Sequence, residues 1–93
     1  MGTCKEIIYF TMSIITYHNR TEHFNDEGYF HRIDGPAIEY TNGSKYWFLN
    51  GKSHRLDGPA IESSSDEYHE YFINGVEYSF EEWDRRRRLK ILL

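Results

Sequence analysis

The chain has 93 residues, 17% of them aromatic and 28% charged, with a net charge of −4 and one cysteine. That length sets one domain with a thin margin of stability, and so many aromatics exclude a disordered chain. A lone Cys4 excludes an internal disulfide framework and points to a reducing, cytoplasmic compartment. The charge is divided: residues 1–84 hold all 15 acidic residues against six Lys or Arg, and residues 85–93 hold five cations and no acid. An acidic body at −9 thus carries a basic tail at +5.

Residues 1–23 read as N-terminal strands. Between Lys5 and Tyr17, residues Ile8, Phe10, Met12 and Ile14 alternate with Tyr9, Thr11 and Ser13, the period of a strand or a bent pair of strands. The apolar stretch from Ile7 to Tyr17 is too short, and too broken by Thr11, Ser13 and Thr16, to span a bilayer. Glu6 stands where a myristoylation pattern wants Ser or Thr, so no membrane attachment is expected. His18 to Thr21 reads as a turn leading into Glu22–Asn25.

Residues 24–78 read as hairpin repeats. His31-Arg32-Ile33-Asp34-Gly35-Pro36-Ala37-Ile38-Glu39 returns as His54-Arg55-Leu56-Asp57-Gly58-Pro59-Ala60-Ile61-Glu62, 23 residues later with one change. Arg32 and Asp34, like Arg55 and Asp57, are two apart, so in extended chain they share a face and can brace the turn that follows. In Asp-Gly-Pro the Asp accepts from the backbone, Gly tolerates positive φ, and Pro36 or Pro59 begins a strand or lies at an edge. Tyr46-Trp47-Phe48-Leu49-Asn50-Gly51 is an aromatic strand closed by a type I′ hairpin pair. The phrase returns as Glu70-Tyr71-Phe72-Ile73-Asn74-Gly75, and Asp26-Glu27-Gly28 is a decayed version ahead of the first copy. Ala37–Tyr40 is the next expected strand, Thr41–Ser44 an Asn-Gly hairpin and Lys45–Leu49 its return. Lys52–Leu56 and Ala60–Ser63 repeat the plan, and the serine run after Glu62 makes a longer hairpin loop with one more residue in the unit.

The string Trp-Phe-Leu-Asn-Gly-x-x-His-Arg-x-Asp-Gly-Pro-Ala resembles short hairpin repeats of phage, giant-virus and bacterial proteins, similar to the membrane occupation and recognition nexus (MORN) repeats. The resemblance covers roughly residues 24–83 and implies a scaffold or interaction module. The common Tyr-x-Gly-x-x-x-x-Gly-x-x-x-Gly spacing of MORN repeats is missing, so their membrane contact does not carry over. What the resemblance implies for source is a viral protein that blocks a host nucleic-acid-handling or defence factor in the host cytoplasm.

Residues 79–93 read as a capping helix with a basic, apolar tail. Ser79 with Glu82 forms a capping box, and Tyr78 and Trp83 are spaced for a hydrophobic staple, so the helix should start at Phe80. Acids in its first turns and Arg85, Arg86, Arg87 and Arg88 later follow the order its dipole favours. The arginines cover about 300° of the helix, too much for a one-faced phosphate stripe. Two of them are expected to pair with acids of the body, and the leucines beyond them to dock on the sheet or join a second copy.

The expected fold is mainly β, a meandering antiparallel sheet of repeated hairpins closed by one C-terminal helix. Arg32, Asp34, Arg55 and Asp57 are turn braces. Glu62, Asp66, Glu67, Glu70 and Arg85 through Arg88 are candidate interaction residues. No catalytic, cofactor or metal site is expected: His31 and His54 come from equivalent units without a Cys partner, and an active site is needed once whereas a brace is needed in every unit. The expected function is a non-catalytic interaction module whose acidic body meets a basic protein surface. Alternatives are a nucleic-acid binder using the Arg85–Arg88 helix, and a structural part that oligomerises through strand edges or the Leu-rich tail.

Overall fold

A computed structural model describes residues 14–65 and 68–92, with the side chains of residues 90–92 left out. Expectations for residues 1–13, for Asp66 and Glu67, and for the apolar side chains after Leu89 lie outside the described residues. The elements are β1 (Ile14–Thr16), β2 (Arg20–His23), β3 (Ile38–Tyr40), β4 (Lys45–Tyr46), β5 (Phe48–Leu49), β6 (Lys52–Ser53), β7 (Ile61–Glu62), β8 (His69–Ile73), β9 (Val76–Tyr78) and α1 (Phe80–Leu92). Every strand pair is antiparallel, and the main sheet runs β1-β2-β3-β4-β7-β8-β9. The fold is therefore the expected meander with one C-terminal helix.

β5 and β6 form a separate hairpin that leaves the main sheet between β4 and β7. A smaller version, bridged at Phe24 and Phe30, leaves between β2 and β3. The run Lys45–Leu49, expected as one strand, is thus two strands broken at Trp47. Trp47 explains the break: its N–H goes to Ala60 O at 2.7 Å in the main sheet, while its carbonyl takes the His54 N–H at 3.2 Å in the hairpin. One residue divides its two backbone groups between two ladders. In β8 no such break occurs, and the strand pairs first with β7 and then with β9.

The hairpins bond side by side with the same pattern in each unit. Arg32 N–H donates to Phe48 O and Gly51 N–H to Phe30 O; in the next unit Arg55 N–H donates to Phe72 O and Gly75 N–H to Ser53 O. Asn50-Gly51 and Asn74-Gly75 have φ of 49° and 83°, and of 50° and 84°. Both central residues are left-handed, as a type I′ turn requires. The first turn is expected at His18–Thr21 but closes one residue earlier, where Tyr17 N–H donates to Arg20 O.

Only Ala37, Ile38, Ala60, Ile73 and Trp83 are buried apolar residues among those described. Aromatic contacts supply most of the remaining apolar packing. Phe24, Phe30 and Phe48 stack in a row at 5.1 and 5.4 Å between ring centres, and Tyr71, Phe80 and Trp83 cluster where α1 meets β8. Ser79 caps the helix, its hydroxyl accepting the Glu82 N–H at 3.3 Å. The staple from Tyr78 to Trp83 is replaced: Trp83 turns to Tyr71 and donates its indole N–H to Arg55 O at 2.8 Å, while Tyr78 lies under Arg86. A carbonyl acceptor in the second repeat is a stronger draw for an indole donor than the ring just ahead of its own helix. That bond fastens the helix to the repeats.

Candidate functional site

Each copy of the nonapeptide builds a clasp. Arg32 Nε donates to Asp34 Oδ1 at 3.1 Å and Nη1 to Pro36 O at 3.2 Å; Arg55 Nε donates to Asp57 Oδ1 at 2.8 Å and Nη1 to Pro59 O at 3.0 Å. The guanidinium thus ties the Asp before the bend to the carbonyl after it. Gly35 and Gly58 are not in the left-handed region, contrary to the expectation that they supply positive φ. They are glycine because the guanidinium lies where a side chain would stand: a Cβ would fall 3.0 Å from Arg32 Cζ at Gly35, and 2.6 Å from Arg55 Cζ at Gly58. Ala37 and Ala60, fully buried, follow at the next strand.

The histidines join one unit to the next. His31 Nδ1 accepts the Asn50 N–H at 3.0 Å, and His54 Nδ1 accepts the Asn74 N–H at 3.0 Å. In the first hairpin Asn25 Oδ1 accepts the Glu27 and Tyr29 N–H groups instead. Asn25 also donates its side-chain amide to Asn50 Oδ1 at 2.9 Å, so the tips of neighbouring hairpins touch.

Between the two clasped turns lies an open groove of about 630 Å³. It is lined by the Arg32–Pro36 and His54–Asp57 segments, by Trp47 and Leu49, and by Arg87 of α1. Arg55 lies 3.6 Å over the Trp47 ring and its Nη1 also reaches Glu62 Oε2 at 3.2 Å. Arg32 Nη1 lies 3.2 Å from His23 Nε2. Burial, and then the nearby Arg32 charge, hold His23 below the ordinary histidine range. The Arg32 hydrogen bond holds the Asp34 carboxyl below the usual carboxylate range. Outward from these bonds, Asp34 and Asp57 are 85% and 86% exposed, and Ile33 is 84% exposed.

Of the other candidate residues that the structure describes, Arg87 alone lines the groove. Glu70 accepts from the Tyr68 hydroxyl, which raises the Tyr68 pKa. Glu62 is held by Arg55, and Asp66 and Glu67 fall outside the described residues. All four arginines pair with acids, where two were expected to, and the acids stand on their own helix: Arg85 and Arg86 both pair with Glu82, and Arg87 and Arg88 both pair with Asp84. These are three- and four-residue spacings on one helix, where partners meet with little ordering cost. The Arg85 hydrogen bond leads in lowering the Glu82 pKa. Leu89 does not dock on the sheet and is exposed in the single chain.

Among the described residues no three His, Cys, Asp or Glu side chains gather as a metal-binding set. No helix among them is long and apolar enough to cross a membrane. Comparison with protein-family models, with curated proteins and with solved structures finds no match for this chain. Sequence reasoning named the arginines and aspartates of the groove but passed over Ile33, Leu56 and Trp47. An apolar residue at the variable place of both turns was the signal available.

Proposed function

We propose that the protein is a non-catalytic interaction module whose acidic body engages a basic surface on a protein partner. One observation carries the reading: in each copy the Arg, His and Gly are used inside the fold, while the Asp carboxylates point outward with most of their surface free. Asp26, Glu27, Glu39, Glu77 and Glu81 add further exposed carboxylates, so negative charge is what the body offers to solution. The resemblance of the repeat to phage and giant-virus hairpins supports a partner that normally holds nucleic acid, with carboxylates standing in for phosphates. The MORN-like kinship and the cytoplasmic site of action are part of the same proposal.

Titration with polylysine and with a DNA duplex tests it. The expected result is binding to polylysine alone, weakened at least tenfold between low and physiological ionic strength. Binding to the duplex that disappears on deletion of residues 85–93 would instead make the protein a nucleic-acid binder. Pairing of all four arginines with Glu82 and Asp84 speaks for the first outcome.

A further inference from the structure

We infer that the groove between the two clasped turns is the docking site, and that its occupant is a cationic segment carrying aliphatic side chains. The inference rests on the proposed interaction reading and names its site and partner chemistry. Its first support is Ile33: a turn residue with no packing role is expected to be polar, yet this one is isoleucine and 84% exposed. Leu56 holds the equivalent place in the second repeat and lines the same groove. The two turns lead into β3 and β7, which are separated by β4 alone, so the aliphatic groups recur at about 10 Å, two strand spacings.

Charge complementarity selects the occupant. Beside each aliphatic residue stands an aspartate, Asp34 or Asp57, whose carboxylate is exposed and already oriented by one guanidinium bond. Each carboxylate keeps acceptor positions for a Lys or Arg of a partner. Arg32 and Arg55 lie behind these acids, 30% and 18% exposed, and their donors are directed into the turns. The lining thus combines two outward carboxylates with the apolar surface of Ile33, Leu56, Trp47 and Leu49. Arg87, the third guanidinium of the lining, is 31% exposed and held by Asp84, so the two outward carboxylates are the most exposed charges that an occupant meets.

Trp47 lines the groove, whereas Trp83 on α1 is buried against Tyr71 of β8, so indole fluorescence reports occupancy. Short peptides of alternating Lys and Leu, Lys and Ser, and Glu and Leu are titrated into the full chain. The expected result is a Trp47 emission change with the Lys/Leu peptide, absent in Trp47→Phe. The double variant Ile33→Ser, Leu56→Ser should bind this peptide at least tenfold more weakly. Ile33→Ser alone, at a site too exposed to disturb folding, should weaken it about threefold. Equal binding of Lys/Leu and Lys/Ser peptides, untouched by the variants, would overturn the groove while leaving an acidic interaction module standing. Equal binding of the Glu/Leu peptide would overturn the choice of a cationic occupant. Failure of both lysine peptides to bind would overturn the groove and the interaction reading together.

Discussion

The two copies of the nonapeptide are near-identical in letters and unequal in setting. In the first, Arg32 reaches a neutral neighbour, His23, and has 30% of its side-chain surface exposed. In the second, Arg55 reaches a carboxylate, Glu62, lies on Trp47, and its backbone carbonyl holds the Trp83 indole. The phrase itself makes the clasp, and the residues around it decide how tightly the clasp is held. Strength should therefore rise from the first copy to the second, and the C-terminal helix should depend on the second alone.

Removing Trp83 breaks that arrangement most severely. Trp83→Ala should cost about 3–5 kcal/mol in urea unfolding, as for other buried indoles, and release α1 from the sheet. Arg55→Ala comes next at about 2–4 kcal/mol, because it removes charged hydrogen bonds and the stack on Trp47 and strands Glu62. Arg32→Ala should cost about half as much. Equal losses at the two arginines would show that the letters alone set the strength.

A glycine comparison sharpens the point with the side chains left in place. Gly58→Ala should cost about 2 kcal/mol and Gly35→Ala about 1 kcal/mol, since the new Cβ meets the guanidinium more closely in the second copy. Chemical denaturation of both variants reads the difference.

The smallest effect is a pH dependence confined to the first copy. Burial and Arg32 lower the folded-state pKa of His23, so the unfolded chain takes up the proton first. The stability at stake is fully present above the unfolded value of about 6.5 and is lost as pH falls from there toward the lower folded value. In His23→Gln the decline of the denaturation midpoint over this window should be shallower than in the unaltered chain. Asp34 and Glu82, whose pKa values are lowered by Arg32 and Arg85, lose their contributions only as pH falls below about 4, outside that window.

Much of the fold was legible because its signals are local. Asn50-Gly51 encodes its turn, Arg55 and Asp57 lie two residues apart, and Ser79 precedes its helix by one residue. What escaped was whatever needed a second unit. His31 caps Asn50 across 19 residues, and nothing within the nonapeptide announces a partner that far along the chain. The break at Trp47 was hidden for a related reason: a continuous aromatic run reads as one strand until both ladders that share it are known. The pairing of Arg85–Arg88 was different. Acids three and four residues before them were in plain view, and the four-residue rule would have assigned them. Of the groove, the clasps follow from the Arg and Asp spacing, whereas nothing local to Ile33 or Leu56 marks them as lining one surface.

The histidines of the repeat hold neighbouring hairpins together. Amide hydrogen exchange at Asn50 and Asn74 tests it most directly, because residues at the tips of two-residue turns ordinarily exchange fast. With His31 and His54 accepting these N–H groups, both should be protected, with His31→Ala releasing Asn50 and His54→Ala releasing Asn74. Exchange of both amides at unprotected rates in the unaltered chain would contradict it.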